Sequence, residues 1–348
     1  MENFLVRESS LKLSVTLWPK GNHLLPSSRY RIYGLLKYLD QSTGFKFFLA
    51  ECKISNLKSL CKWLKFVIRS KVFVFQKRYI DYPMFIIMKI FKVKIIYDFD
   101  DALFARRSWS ASKGKTDKHH KKKLNRTLRL SHHVIVSNDY LKKYATSFNK
   151  NISVIPTMVP VASELKSYHE QGKLVIGWTG TKENFIYLKS IENVLVSLYG
   201  QHGDKLQIKI ISNGLYHADS EAVPIENIHW TPGNELSELL SFDIGIMPLI
   251  DDDWSKGKGM FKALQMMSVG IPVVVSKVGV NEKLITDNVN GYLADREDEW
   301  IEKLTKLIDT SDLRKSIGLK GREFVRQSFN PQKHADQLTK IIMDLANR

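Results

Sequence analysis

Two short runs hold the residues best suited to chemistry. The first is YDFDD, where Asp98, Asp100 and Asp101 close the apolar stretch VKII. Three carboxylates this close repel one another unless cations or hydrogen-bond donors stand near. If VKIIY is a strand of a parallel sheet, they lie at its carboxyl end, where open α/β sheets bind ligands, and there they meet a substrate. Helix capping by Asp100 or Asp101 is the alternative. The second run is DDDWSKGKGMFK, which follows the apolar DIGIMPL. Gly257 and Gly259 let backbone approach a ligand closely, and a helix that starts near Met260 and Phe261 presents free N–H groups to an anion. Lys256, Lys258 and Lys262 add full charges, and together these features make a diphosphate site. The pattern is not a Walker A loop, so solvated loop lysines are the alternative.

The helix behind that loop, FKALQMMSV, is apolar nearly all round, so it is buried and Gln265 within it needs partners. Ribose hydroxyls are one choice and neighbouring backbone the other. Arg29 and Arg31, in PSSRYRIY after the first strand's loop, are placed to reach an anion across a cleft; a solvated helix face suits either equally. The adjacent histidines His119 and His120, and His132 and His133, do not easily face one site, which argues against a metal.

The elements that must position these residues alternate. LKLSVTLW, KVFVF, VKIIY and HVIVS read as strands in the first half, each separated from the next by a helical stretch; LVIGW, LQIKIIS, DIGIMPL and IPVVVS repeat the pattern in the second. Repeated βα units imply parallel sheets covered on both faces. Periodicity lapses over Ile155–Lys173, which places a domain boundary there. The expected organisation is residues 1–160, residues 161–328, and a closing helix over 329–348 whose Ala335, Leu338, Ile341, Ile342 and Leu345 form one apolar face that packs back toward the first domain.

Charge is unevenly shared. The 348 residues carry a net +17, but residues 1–150 hold 31 Lys and Arg against 10 Asp and Glu, a balance of +21, which leaves 22 against 26 for the rest. So basic a half calls for an anionic neighbour: nucleic acid, an acidic polymer or an anionic membrane leaflet. Two cysteines, Cys52 and Cys61, suggest neither disulfides nor zinc and fit a reducing cytoplasm. No stretch has the length and apolarity of a signal peptide or a membrane span.

Several blocks, in order, carry a resemblance: SSRYRIYGLL, IIYDFDDALF, SNDYL with VIPT, VIGWTGT, and FKALQMMSVGIPVVVSKVGVNEKLI with NGYLA. Together they resemble a bacterial branch of the family-4 glycosyltransferases. That resemblance implies the GT-B fold, an α/β architecture of two Rossmann-like doubly wound domains facing across a cleft, with a C-terminal helix crossing back. It implies a nucleotide-sugar donor held by the second domain, a lipid-linked or glycan acceptor held by the first, transfer to a hydroxyl with retention, and no cofactor or metal. It also implies work on cell-surface polysaccharide, lipopolysaccharide or glycolipid, in the cytoplasm and peripheral on the inner membrane face. The family commonly has two glutamates with seven residues between them; Gly257 and Gln265 stand in their places here. Many members place an arginine and a lysine after the VIGWTGT strand, whereas only Lys182 is basic here, leaving Gly180 and Thr181 to offer a tight turn and backbone donors. Glu282 matches a frequent glutamate and contacts the donor or compensates its helix dipole.

For the basic half, Cys61–Lys71 and the HHKKKLNRTLR run are the candidates for an anionic leaflet; Trp63, Leu64, Val67 and Ile68 serve either a membrane or the core. A noncatalytic GT-B binder, or a nucleic-acid-binding protein, is the alternative function. No motif for a nucleic-acid groove is present, so nucleic acid is not an expected partner.

Overall fold

The computed structural model describes residues 13–39, 44–52, 54–106, 115–168 and 172–348. The first sheet comprises β1 (Leu13–Trp18), β2 (Phe45–Leu49), β3 (Val72–Gln76), β4 (Lys94–Phe99), β5 (His133–Val136) and β6 (Ile152–Val154). The second comprises β7 (Leu174–Thr179), β8 (Leu206–Ser212), β9 (Ile225–His229), β10 (Ile244–Met247), β11 (Val273–Ser276) and β12 (Tyr292–Ala294). All pairings are parallel, in the orders β2-β1-β3-β4-β5-β6 and β12-β11-β10-β7-β8-β9. Two doubly wound parallel sheets are the architecture the sequence leads one to expect; each has six strands, two more than the four read in each half.

Apolar clusters cover both faces of each sheet. Trp63, Phe73, Phe75, Tyr97 and Phe99 lie on one face of the first, and Leu17, Val74, Ile96 and Ile135 on the other. The middle strands are therefore sequestered along their whole length, as β3, β10 and β11 show. The edge strands β2, β6 and β9 are less covered, while the short edge strand β12 is mostly buried, and the strand readings above marked none of the four.

The closing helix, Pro331–Ala346, starts with proline in its first turn and an Asn330 side-chain cap on the Gln332 N–H. It buries the apolar face anticipated for it, with Leu338, Ile342 and Leu345 in one cluster with Leu35 and Leu39 of the helix Gly34–Leu39. Just before that helix the chain forms a π-turn over Arg29–Tyr33. The segment expected to link the domains reaches the second one early: the Lys166 N–H donates to Val269 O, and its ammonium pairs with Asp243 at 3.0 Å. Residues 169–171 of that segment lie outside the described residues.

Each strand order reverses direction once, between β1 and β3 in the first sheet and between β7 and β10 in the second. At such switch points the flanking helices leave on opposite faces, and a crevice opens beyond the strand ends. The two crevices meet.

Candidate active site

A cavity of ≈ 290 Å³ lies where they meet. The first domain contributes the loop after β1 (Leu25, Pro26, Ser27), Lys77 after β3, and Asp100 and Asp101 after β4; the second contributes Thr179, Gly180 and Thr181 after β7 and Met247, Pro248 and Leu249 after β10. The floor carries Lys258, Gly259, Phe261 and Lys262.

On the first wall, Lys77 pairs with Asp100 at 2.8 Å and with Asp101. Lys77 holds a left-handed backbone, φ 52°, and its N–H donates to Asp98 O at 2.8 Å. Burial alone would push this lysine's pKa down, but the carboxylates of Asp100 and Asp101 outweigh it and raise the value. Burial, with Asp101 beside it, pushes Asp100 up despite Lys77. The cluster is two carboxylates sharing one cation. Lys77 is a site residue that the sequence reading missed: a lone lysine after VFVFQ resembles any strand-ending charge. Its clue is that β3 is the neighbour of β4 in register, with Gln76 opposite Asp98.

Asp98 does not line the cavity. It is 4% exposed, and its carboxylate accepts from Nε of Arg31 at 2.9 Å and from the same guanidinium's NH2. Arg31 in turn donates to Ile155 O at 3.0 Å and to Thr157 Oγ1 at 3.1 Å. Both groups expected at the substrate instead neutralise each other inside the first domain, tying β4 to the start of the linker. The buried charge is tolerable because every oxygen of Asp98 has a donor.

Arg29 is likewise turned away from the cavity. Its guanidinium grips Glu235 of the second domain at 2.9 and 3.0 Å and lies over the Tyr30 and Trp230 rings, 4.6 and 5.0 Å from their centroids. Glu235 also accepts from Tyr30 Oη at 3.1 Å and Trp230 Nε1 at 3.0 Å. Gln265 completes this knot: its amide nitrogen donates to Tyr30 Oη at 3.0 Å and Glu235 Oε1 at 3.3 Å. The buried glutamine thus finds one partner across the domain boundary, Tyr30, and another, Glu235, within its own domain. Burial raises Glu235, but Arg29 and Lys262 prevail and hold its pKa below the usual glutamate value.

The second wall is cationic. Lys258 lies over the Tyr187 ring, 5.3 Å from its centroid, and among the described residues its ammonium hydrogen-bonds to Asn184 Oδ1 alone, at 3.5 Å. The Lys262 ammonium reaches Gln265 Oε1, also at 3.5 Å, and lies 5.7 Å from the Phe261 ring centroid. Neither makes an ion pair among the described residues. Burial lowers the pKa of Lys258, and it lowers that of Lys262 to about 8, with Glu235 opposing and Arg29 and Lys258 reinforcing. The helix behind them spans Phe261–Ser268, with Met260 fully buried at its left-handed N-cap, φ 56°. Met260 therefore shapes the turn and does not line the cavity.

Other expected residues scatter. Lys256 ends the short helix Asp253–Lys256 and pairs with Asp251 at 2.9 Å, outside the cavity. Glu282 is exposed on the helix Asn281–Leu284, also outside it. The Gly180 N–H is taken by Ile211 O at 3.1 Å, so that donor is not free, and a side chain at Gly180 would collide with the Trp178 ring at 2.3 Å. Thr181 lines the cavity and accepts from Asn184 Nδ2 at 3.0 Å. Gly257 abuts the YDFDD loop: a Cβ there would stand 2.6 Å from Ala102 Cβ, while its carbonyl accepts from Asn138 Nδ2 at 3.0 Å. Its lack of a side chain lets the two domains touch at this point.

The comparisons with known proteins agree with this architecture. Residues 218–324 match the family described as glycosyl transferases group 1. A curated relative, an uncharacterised glycosyltransferase of Methanocaldococcus jannaschii, is 28% identical over 145 residues, 40% of this chain and 41% of its own length. The chain thus spans less than half of that relative. Sucrose-phosphate synthase of Thermosynechococcus elongatus superposes with a TM-score of 0.69 over 96% of this chain and 99% of that one, at 12% identity. HepE of Anabaena, solved with UDP and glucose, gives 0.62 over 95% and 100%, at 11% identity. The chain has the GT-B fold, and its second domain carries a segment that matches the group 1 glycosyl transferases.

Proposed function

We propose that the protein transfers a sugar from a nucleoside-diphosphate sugar to a hydroxyl acceptor, with retention at the anomeric carbon. The observation that carries this reading is the pair Lys258 and Lys262, two buried ammonium groups without a carboxylate partner, facing a wall whose own cation is already neutralised. Burying a cation unpaired is unfavourable, and an anion between the domains relieves it. The group 1 match, and a neighbour solved with UDP, support a nucleotide as that anion.

In this reading the bond from the anomeric carbon to the diphosphate oxygen breaks with its electron pair passing to the diphosphate. The acceptor oxygen bonds to the same carbon, on the face the diphosphate leaves, and passes its proton to the departing diphosphate oxygen. Negative charge grows on the diphosphate as the bond breaks, so fixed cations there stabilise the transition state more than the ground state. Lys258 and Lys262 do this. Asp100 and Asp101, held by Lys77, face the sugar and acceptor side, and domain contact excludes water, the competing acceptor. Gln265 reaches a ribose only once Tyr30 is displaced, so donor entry opens the Arg29–Glu235 knot. The acceptor is a lipid-linked or surface glycan.

Thermal unfolding against UDP, GDP, ADP, dTDP and CMP tests the reading. Ligand at 100 times its Kd adds about 2.7 kcal/mol, several degrees in Tm. A shift with one diphosphate that is lost in Lys258→Met/Lys262→Met supports it; no shift with any of them favours a noncatalytic binder.

A further inference from the structure

The cavity, at ≈ 290 Å³, is at the lower end of small-ligand sites, which run from about 300 to 1,000 Å³, and a whole nucleotide sugar needs more room. Its two lysines show where that room lies. The charges acting on Lys258 include Asp101, Lys77 and Asp100, whereas those acting on Lys262 are Glu235, Arg29 and Lys258 itself. A diphosphate across both lysines therefore has its sugar on the Asp100–Asp101 side and its nucleoside on the Glu235 side. Gln265, one turn past Lys262 on the same helix, lies in that second direction, its amide nitrogen 3.3 Å from Glu235 Oε1. There the second domain presents the Trp230 ring and the Glu235 carboxylate, tied together by the Trp230 Nε1–H donating to Oε1 at 3.0 Å. The Arg29 guanidinium fills the place, and it fits poorly. A guanidinium serves a carboxylate best through two nitrogens; here Nη2 alone donates to both oxygens, at 2.9 and 3.0 Å, while Nε is buried with no hydrogen-bond partner. Arg29 and Tyr30 both belong to the first domain, so they withdraw together and free Glu235 Oε2 of the donors they bring to it.

We propose that Glu235 selects the nucleobase and that the base it selects is guanine, with the Arg29 guanidinium holding the base's place until the donor enters. Guanine lies on the Trp230 ring and donates its N1–H and its 2-amino group to the Glu235 carboxylate. The N1–C2–N2 edge of guanine is itself a guanidine, planar and bearing adjacent donors, so Arg29 displays the chemistry that this carboxylate accepts. No other common base presents it. Uracil and thymine flank one N–H with two carbonyl oxygens, which a carboxylate repels, while adenine and cytosine set an amino group beside an acceptor nitrogen. An ionised acid thus favours one base and rejects the rest by setting acceptor against acceptor. Lys262 remains to keep the carboxylate charged once Arg29 has left. The assignment rests on the diphosphate reading of Lys258 and Lys262, and adds to it the identity of the base.

The test is calorimetric binding of GDP, UDP, ADP, CDP and inosine diphosphate, the last being GDP without its 2-amino group. GDP is expected to bind roughly 30-fold tighter than UDP, ADP or CDP and roughly tenfold tighter than inosine diphosphate, a comparison that needs no variant. Glu235→Gln is expected to cut the preference for GDP over inosine diphosphate to about twofold while UDP stays within about threefold of its parent value. A carboxylate that served only to hold the domains would weaken every nucleotide alike. Arg29→Met is expected to tighten GDP by about threefold, because no internal group must first be displaced. GDP no tighter than UDP, an equal loss of all five in Glu235→Gln, or GDP weakened by Arg29→Met would overturn the assignment. If Lys258→Met/Lys262→Met still abolishes binding of whichever nucleotide is preferred, the sugar-transfer reading survives that result. Absence of binding by every diphosphate would overturn both.

Discussion

The two domains carry charge one way overall and the opposite way at the cavity. The first is strongly basic in sequence, yet its contribution to the cavity wall is two carboxylates around one lysine; the second is slightly acidic, yet it presents two lysines that form no ion pair among the described residues. Domain charge acts over a Debye length and governs what surface a protein approaches, whereas a buried site is governed by partners within a few ångströms. The basic excess of the first domain therefore belongs to its outer face, and the binding of an anion inside belongs to the other domain.

Removing the cations breaks that contrast most severely. Lys258→Met/Lys262→Met is expected to abolish the nucleotide-induced rise in Tm, at least 100-fold in Kd by calorimetry. Lys256→Met, equally positive but paired with Asp251 outside the cavity, is expected to leave Kd within twofold; equal losses in both would reduce the site to diffuse charge. Next in size is pH. With the Lys262 pKa near 8, its charge is present below that value and lost above it, so nucleotide affinity holds to pH 8 and falls roughly tenfold by pH 9. A flat profile through pH 9, measured by calorimetry, would remove Lys262 from the site. Smaller still is a stability effect of opposite sign. Because burial depresses this lysine below its unfolded value, the penalty is full below about pH 8 and is relieved as pH rises toward 10.5. Lys262→Met is thus expected to stabilise the free protein at pH 7 by roughly 1–2 kcal/mol while weakening its ligand, as denaturant unfolding would show. Last, Glu235→Gln is expected to loosen domain contact and raise local hydrogen exchange around Tyr30 with little change in global Tm.

Legibility in the sequence followed burial. The middle strands read clearly because both faces are covered and apolar residues run on unbroken, as in VFVFQ and VVVS; IENIH and ISV, at the edges, have too little covered surface to leave a pattern. Of the site, the lysine loop and the Asp100–Asp101 pair were visible because each is a local cluster. What stayed hidden depends on the partner domain. Glu235 opens its helix like any dipole-compensating acid, and nothing nearby in sequence announces that Arg29, Tyr30 and Gln265 converge on it. Asp98 misled for the converse reason: it lies within β4, on the face of Ile96 and toward Arg31, whereas Asp100 and Asp101 lie beyond the strand's end beside Lys77.

The π-turn at Arg29–Tyr33 makes chain length itself a coded quantity. One extra residue in that turn allows Arg29 and Tyr30 to face the second domain while Arg31 faces into the first. Deleting a residue there would restore ordinary helical winding at little energetic cost to the helix, yet rotate everything upstream by about 100°. The interdomain knot and the Asp98 pair could not both survive that rotation. Within this turn substitutions can be graded by chemistry, whereas insertions and deletions act as a switch between one set of contacts and the other.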